Sequence, residues 1–289
     1  MRKVLLFALG LMTTQLAHGA GAQQPTLVFT AIPDEDETRL VERFTAYAKY
    51  FEAKLGVPVK YLPVKSYPAA VTAFTNNQVQ FAWFGGLSGV QARLAVPGAD
   101  AIAQGAEDVA FKSYFIANTS TKLEAGREVP TAIEGRTFTF GARGSTSGRL
   151  FPEFFLRQAL GGRDPEKIFS RVGFSGDHSR TIQLVQSGAY EVGVVNHLVW
   201  EQELKSGKVD PKLVTAIWET PTYPDYHWVV RGDVETTFGA GFKEKLRAVI
   251  LGIDDPKLLA IFDRSKFIAA KNDDYKAIEE VGKLTGLIN

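Results

Sequence analysis

Short apolar runs alternate with longer amphipathic segments along most of the chain, and this alternation predicts strands and helices in turn. The run TLVFTAI at residues 26–32 is apolar almost throughout, which is typical of a buried strand. The segment ETRLVERFTAYAKYFEAKLG follows and places Leu40, Phe44 and Phe51 on one face before Gly56 ends it, so it predicts a helix. The same strand–helix order recurs in two successive units of the chain.

Alternating strands and helices favour an α/β fold with doubly wound sheets whose strands run parallel. The extended stretch KSYFIANTS at 112–120 leaves the first unit, and YHWVVRG at 226–232 could return to it. This pattern predicts two lobes joined by a double crossover. The first lobe would be residues 25–114 plus 228–289, and the second would be residues 115–227. Ligands of such sheets bind beyond the carboxyl ends of the strands, here in the cleft between the lobes.

Composition narrows the functional classes. The chain has 289 residues, 45% of them hydrophobic, which is enough for two modest domains. The net charge of +1 gives no reason to expect a nucleic-acid partner. The absence of cysteine excludes disulfides, thiolate metal sites and a cysteine nucleophile.

The first residues have the pattern of a secretory signal peptide. Arg2 and Lys3 precede a short apolar run at residues 4–11, and Ala20 and Ala22 flank a small-residue cleavage site. We therefore expect residues 1–22 to be removed on export. No later segment approaches the length of a membrane span, and a cysteine-free exported protein suits a bacterial periplasm.

The stretch GARGSTSGRLFP contains the densest group of hydroxyl side chains: Ser145, Thr146 and Ser147 between Gly144 and Gly148. A helix is predicted to start here, and the first N–H groups of a helix lack intrahelical partners and carry the positive end of its dipole. Hydroxyls and free N–H groups together could hold an oxyanion. A serine that only caps the helix would explain the same residues.

Two enzymatic interpretations of this stretch fail on its residues. A nucleophile elbow needs serine at the centre of G-x-S-x-G, and Thr146 occupies that centre. A nucleotide-binding P-loop needs a lysine in G-x-x-x-x-G-K-[ST], and the stretch has none there.

Other predicted strand-to-helix junctions carry further candidates, namely Tyr67, Trp83, Phe84, His178 and Asn196. Protonated His178 could donate to an oxyanion from either ring nitrogen, or it could be an exposed or capping histidine. The histidines that remain after removal of the signal segment lack a metal-ligand spacing, so we expect no metal site and no cofactor.

Together, the signal segment and the stretches LVFTAIPDEDETRLVERF, YPAAVTAFTNNQVQFAWFGGLSGVQA, GSTSGRLFP and DHSRTIQLVQSGAYEVGVVNHLVWE resemble the phosphate, phosphite and phosphonate solute-binding proteins of ABC importers. Within that family the chain looks most similar to the subgroup named for selenate binding. The resemblance implies a type II periplasmic-binding-protein fold that closes over a small oxyanion. It also implies a non-enzymatic, monomeric receptor whose partner is an ABC permease.

The resemblance further assigns roles to the candidates. Tyr67 with Trp83 or Phe84 would line the wall of the first lobe. The hydroxyl residues Ser145, Thr146 and Ser147 would hold the oxygens of the anion. His178 would reach in from the second lobe, and Asn196 would lie at the last junction.

Two positions depart from the family pattern. Trp83 stands where tyrosine is frequent, and Asn196 stands where an acidic residue is frequent. Because an amide does not repel a fully ionised ligand, we expect tolerance of a dianion such as selenate or sulfate. The acidic residues Asp34, Glu35 and Asp36 could instead supply an acceptor for a P–OH group, or could cap the first helix and face solvent.

Two other functions stay open on the sequence. A secreted hydrolase could use Ser145 or Ser147 with His178, although no acidic residue is evident to orient the base. A periplasmic sensor could use the same binding module with a signalling partner.

Overall fold

The computed structural model describes residues 24–289, which form an α/β protein with two β-sheets. The strands are β1 (Leu27–Ala31), β2 (Val59–Tyr61), β3 (Phe81–Phe84), β4 (Asp100–Gly105), β5 (Ser113–Asn118), β6 (Thr137–Phe140), β7 (Arg171–Phe174), β8 (Val192–Asn196), β9 (Val214–Glu219), β10 (His227–Val230) and β11 (Phe267–Ala269). The helices are α1 (Glu37–Leu55), α2 (Tyr67–Thr75), α3 (Gly86–Ala95), α4 (Phe151–Ala159), α5 (Pro165–Ile168), α6 (His178–Gln186), α7 (His197–Lys205), α8 (Val234–Phe238), α9 (Phe242–Leu251), α10 (Pro256–Phe262) and α11 (Lys276–Leu284). The expected signal segment lies outside the described residues.

The two sheets confirm the predicted two-lobed, doubly wound fold. The first has the order β11-β4-β10-β3-β1-β2, and the second has the order β7-β6-β8-β5-β9. The strand β1 runs parallel to β2 and β3, and β6 runs parallel to β7 and β8. However, β10 is antiparallel to β3 and β4, β11 is antiparallel to β4, and β5 is antiparallel to β8 and β9. The expectation of purely parallel sheets is therefore wrong. For β5 and β10 the reason is that they start at the connection between the lobes, where their neighbours β8 and β3 end.

Sheet membership changes slightly before the lobe boundaries that were expected from the sequence. Ser113 and Tyr114 already belong to β5 of the second sheet, and His227 already belongs to β10 of the first. The strand pairing therefore differs by one or two residues at each boundary from the expected lobes, which were 25–114 plus 228–289 and 115–227. The division into two separately moving bodies stays a prediction.

The two connections between the lobes pair with each other. The N–H and carbonyl groups of Phe111 and Tyr223 exchange two hydrogen bonds, at 2.8 and 2.9 Å. One step further along, Ser113 N–H donates to Thr220 Oγ1 at 3.0 Å, and Thr220 N–H donates to Ser113 O at 3.0 Å. The double crossover is therefore a short antiparallel ribbon, which limits how the lobes can move relative to each other.

Aromatic side chains fill the core of the first lobe. Phe29 stacks on Phe81 with ring centroids 4.9 Å apart, and Trp228 packs against Phe81 at 5.4 Å. The apolar face of α1 covers these rings with Phe44 and Phe51, which are fully buried. This rigid layer holds the carboxyl ends of β1 and β3, and with them the loops that border the cleft. Within residues 24–289, no helix combines the length and the apolarity needed to cross a lipid bilayer.

Candidate functional site

The three hydroxyl residues lie in the turn between β6 and α4 and are almost completely buried. Ser145 caps this turn, because its Oγ accepts a hydrogen bond from Gly148 N–H at 2.9 Å. The turn is a π-helix, in which Leu150 N–H donates to Ser145 O at 3.0 Å. The N–H groups of Thr146 and Ser147 stand in its first turn, where no intrahelical acceptor exists. Ser145 is therefore a cap, as one interpretation of the sequence held, and the following N–H groups are placed to donate to an anion.

His178 opens α6 and lies fully buried next to this turn. Its Nδ1 accepts a hydrogen bond from Asn196 N–H at 3.3 Å, and its Nε2 lies 3.4 Å from Ser147 Oγ. Burial lowers the pKa of His178 to about 3, so the ring is neutral at physiological pH. The hydrogen bond at Nδ1 assigns the proton to Nε2. The expectation of a protonated histidine that donates from both nitrogens is therefore wrong, and one neutral N–H donor remains.

This tautomer argues against a serine hydrolase. A catalytic base must accept the serine proton, but the Nε2 of His178 carries a proton of its own and can only donate towards Ser147. The opposite ring nitrogen is held by a peptide N–H rather than by a carboxylate. The pair is therefore not arranged to activate a nucleophile.

Two glycines of the turn are needed for close approach between protein groups. A Cβ on Gly148 would lie 3.1 Å from His178 Cε1 and 3.1 Å from Gly141 Cα. A Cβ on Gly144 would lie 3.2 Å from Tyr67 Cβ, on the opposite side of the cleft. These distances are tighter than ordinary packing allows. Gly148 and Gly144 therefore let His178 and Tyr67 come close to the turn.

The aromatic candidates of the first lobe separate into two groups. Tyr67 is buried, and its Oη has no hydrogen-bond partner among the described residues. Trp83 stacks on Tyr226 with ring centroids 5.7 Å apart and lines a cavity of about 20 Å³ at the cleft. Phe84 points to the other face of β3 and packs edge-on against Phe74 in the core. Tyr67 and Trp83 thus lie at the cleft, whereas Phe84 does not.

Sequence reasoning did not single out Asp225 and Tyr226, which precede β10. Asp225 is 1% exposed, and its Oδ1 accepts a hydrogen bond from Gly86 N–H at 2.8 Å. Its Oδ2 has no partner among the described residues. Burial raises the pKa of Asp225 to about 7. An aspartate between aromatic residues just before a strand was the available signal.

The acidic residues after β1 have three different roles. Asp36 caps α1 by accepting from Arg39 N–H at 3.2 Å, and Glu35 forms an ion pair with Arg43 at 2.5 Å. Asp34 is buried in the cleft, and its carbonyl oxygen accepts from His178 N–H across the cleft at 2.9 Å. Burial and the Glu35 carboxylate raise the pKa of Asp34 to about 7, against the lowering effect of Arg43. Of these three acidic residues, only Asp34 is therefore a candidate acceptor for a ligand proton.

Asn196 is occupied by contacts within the protein. Its Oδ1 accepts from Val199 N–H at 2.7 Å and caps α7, and its Nδ2 donates to Tyr226 Oη at 3.0 Å. The expected tolerance of a dianion was based on the amide of Asn196 and stays a prediction. The buried carboxyls of Asp34 and Asp225 are acidic groups that act against it.

We expect Asn196→Ala to lower the free energy of unfolding by about 1–2 kcal/mol, because α7 loses its cap. The dissociation constant for the ligand should change by less than about tenfold, since only the support of Tyr226 is lost. Urea denaturation and calorimetry measure the two effects. Asp164→Ala, which removes the cap of the peripheral helix α5, is the matched control. A loss of affinity well beyond tenfold would show that Asn196 binds the ligand directly.

The two arginines that border the small cavity are already paired with carboxylates. Arg264 holds Asp108 through two hydrogen bonds of 2.7 Å, and Arg43 holds Glu35. The remaining donors are hydroxyls, peptide N–H groups and the Nε2–H of His178. In the described part of the chain, no cluster of His, Asp and Glu could hold a metal ion. The cleft is therefore suited to an anion that brings its own proton to a carboxylate.

Two lobes, a paired double crossover and a buried set of anion donors between them define a ligand-capturing receptor of the periplasmic-binding-protein class. The profile of the family described as "ABC transporter, phosphonate, periplasmic substrate-binding protein" matches residues 29–275. The chain belongs to this family. It is a substrate-binding component of an ABC importer and not an enzyme.

Individual relatives agree with this assignment. The chain is 40% identical over 288 residues to the probable ABC transporter phosphite-binding protein PhnD1 of Prochlorococcus marinus MIT 9301, with 97% of each chain covered. The solved structure of PhnD1 in complex with methylphosphonate superposes with a TM-score of 0.87 at 42% identity, covering 91% of this chain and 99% of that one. A binding protein of a Pseudomonas aeruginosa phosphonate transporter has the same fold, with a TM-score of 0.78 at 24% identity over 89% of this chain and 85% of that one.

Proposed function

We propose that the protein captures a small phosphorus oxyanion of the phosphite or methylphosphonate type and delivers it to its ABC permease. The observation that carries this proposal is the pairing of neutral donors with two buried carboxyls in one cleft. The ionised oxygens would accept from Ser147, from the peptide N–H groups of the turn and from His178. A remaining P–OH would donate to Asp225, whose Oδ2 has no hydrogen-bond partner among the described residues. A sulfate or selenate dianion has no proton to donate and would meet a carboxylate instead.

The small size of the cavity at the cleft supports a small substituent on phosphorus. The cavity of about 20 Å³ is bordered by the aromatic rings of Trp83, Tyr226 and Phe262 and by charged side chains that include Asp34 and Arg264. A hydrogen or a methyl group suits so small a space, whereas an aminoalkyl group would need more room. The complex of PhnD1 with methylphosphonate agrees with this ligand class.

Calorimetry at pH 7 with phosphite, methylphosphonate, phosphate, aminoethylphosphonate, sulfate and selenate tests the proposal. The protein should first be unfolded, dialysed and refolded, so that any bound anion is removed. We expect phosphite or methylphosphonate to bind at least about 100-fold more tightly than sulfate or selenate, because the dianions leave a buried carboxyl without a donor. Equal or tighter binding of sulfate or selenate would contradict the proposal.

We further propose that residues 1–22 are a signal peptide that directs export to the periplasm and that the mature protein is a monomer. The basic start, the short apolar run and the small residues before Gln23 support export. Mass spectrometry of the protein recovered from a periplasmic fraction would give its first residue. Light scattering would give the mass of the particle, and a value near twice the chain mass would contradict the monomer.

A further inference from the structure

The start of α3 is capped by side chains from other parts of the chain. Gly85 stands at the N-cap position and has no side chain to offer. The N–H groups of Gly86 and Leu87 have no acceptor inside their helix. Asp225 Oδ1 accepts from Gly86 at 2.8 Å, and Thr146 Oγ1 accepts from Leu87 at 2.9 Å. All of these residues are buried.

One of these two hydrogen bonds crosses the cleft. Asp225 lies two residues before β10 of the first sheet, and α3 directly follows β3 of the same sheet. Thr146 belongs to the π-helical turn after β6, which is part of the second sheet. The bond between Leu87 N–H and Thr146 Oγ1 therefore connects the two lobes.

The pair of glycines before Leu87 makes room for this contact. A Cβ on Gly85 would lie 3.4 Å from Thr146 Oγ1, and a Cβ on Gly86 would lie 3.3 Å from it. The Gly86 Cβ would also clash with Ile278 Cδ1. Larger residues would keep the turn away from the helix. The glycines and the threonine thus form one complementary contact.

We propose that the side chain of Thr146 has a positioning role: it caps α3 across the cleft and thereby fastens the closed state, rather than holding the ligand. With the lobes open, water would satisfy Leu87 N–H. On closure Thr146 replaces that water, and this brings Ser147 and His178 opposite Tyr67 and Asp225. A Cβ on Gly85 would lie 3.3 Å from Asp225 Oδ1 and 3.4 Å from Thr146 Oγ1, so the hydroxyl and the carboxyl border the same small space. Closure therefore brings Thr146 towards the group that we expect to receive the ligand proton.

Side-chain variants give the first part of the test, which rests on the proposed function because it uses phosphite as the probe. Thr146→Val keeps the shape but leaves Leu87 N–H without an acceptor in the closed state only, so phosphite affinity should fall about 5- to 30-fold. Thr146→Ser keeps the Oγ and should stay within about threefold of the wild type. A Thr146→Val protein with wild-type affinity would overturn the proposal.

A backbone variant separates a cap from a ligand contact. Replacing Leu87 with its α-hydroxy acid removes the N–H but leaves Thr146 and its side chain in place, and it costs no intrahelical hydrogen bond at this position. The ester should weaken phosphite binding about as much as Thr146→Val, and the two changes together should add little. If the ester has no effect while Thr146→Val weakens binding, Thr146 contacts the ligand and the proposal is wrong.

Amide hydrogen exchange at residues 86–88 supplies a readout that does not depend on the identity of the ligand. The Leu87 amide should exchange slowly in the wild type and in Thr146→Ser, and faster in Thr146→Val. If the three proteins show these exchange rates but the wild type does not bind phosphite or methylphosphonate, the proposed function fails and the cap stands. If phosphite binds and Leu87 exchange is the same in all three proteins, the cap fails and the function stands.

Discussion

Replacing Asp225 with asparagine should weaken phosphite binding by about 100-fold or more and stabilise the ligand-free protein above pH 7. The new amide side chain would keep an oxygen that can accept from Gly86 N–H, so the start of α3 stays capped. It would place an NH₂ group where the carboxyl accepts the P–OH of the ligand, and two donors would then face each other. The same substitution removes a carboxyl that is costly to ionise in a buried site.

The sign of the stability effect follows from the pKa of Asp225, which burial raises from 3.8 to about 7. Between these values the folded protein holds a proton that the unfolded chain has released. This group therefore lowers the stability of the wild type as pH rises from about 4 to 7, and its cost is complete above pH 7. At about 1.4 kcal/mol per pKa unit, the upper limit is about 4 kcal/mol. The uncharged amide of the variant carries no such cost.

Urea denaturation of ligand-free wild-type and Asp225→Asn proteins at pH 5 and pH 8 measures the effect. The stability gain of the variant should be larger at pH 8 than at pH 5. Asp233→Asn is the matched control, because hydrogen bonds from Arg231 lower the pKa of the partly exposed Asp233, so its loss should not stabilise the protein. The expectation fails if Asp225→Asn binds phosphite within about tenfold of the wild type, or if it gains no stability at pH 8.

His178→Phe should weaken phosphite binding about 10- to 150-fold, because the ligand loses the Nε2–H as a charge-assisted donor. The free energy of unfolding should fall by about 1–3 kcal/mol as well, since the buried N–H of Asn196 loses its acceptor. Because burial lowers the pKa of His178 to about 3, wild-type binding should show no step from this residue between pH 5 and pH 8.

Calorimetry across this pH range, with urea denaturation alongside, tests the role of His178. His197→Gln is the matched control. His197 lies at the start of α7 and contacts Phe111 and Glu201 rather than the turn at residues 145–147. The phosphite affinity of His197→Gln should therefore stay near that of the wild type. A gain of affinity below pH 6.5 that disappears in His178→Phe would show that the protonated ring binds the ligand, and it would refute the neutral tautomer.

These two variants separate the contributions of the two lobes. Asp225 lies just before β10 of the first sheet, and His178 opens α6, which follows β7 of the second. A receptor with donors and acceptors on both lobes gains its full binding energy only on closure, which is how two-lobed proteins select their ligands. Two hydrogen bonds also cross the cleft: His178 N–H donates to Asp34 O, and Leu87 N–H donates to Thr146 Oγ1.

The sequence by itself determined the fold class and the position of the hydroxyl-rich turn at residues 145–147. Hydrophobic periodicity fixed the alternation of strands and helices, and the two extended crossovers fixed the division into two sheets, because these patterns are local. The same holds for Ser145 and Ser147, since hydroxyls between glycines at a helix start have a local physical meaning. Local patterns also suggested Tyr67 and Trp83, which the fold brings to the cleft.

Only the tertiary structure decided the chemistry of the cleft. The burial that keeps His178 neutral and raises the pKa of Asp34 and Asp225 comes from both lobes, and no residue within a short window of the sequence reveals it. The side chain of Asn196 is used up by Val199 and by Tyr226, 30 residues away, and Thr146 finds its partner 59 residues away. Electrostatic and hydrogen-bonding partners depend on which segments meet in space, and that is settled only when the two lobes pack against each other.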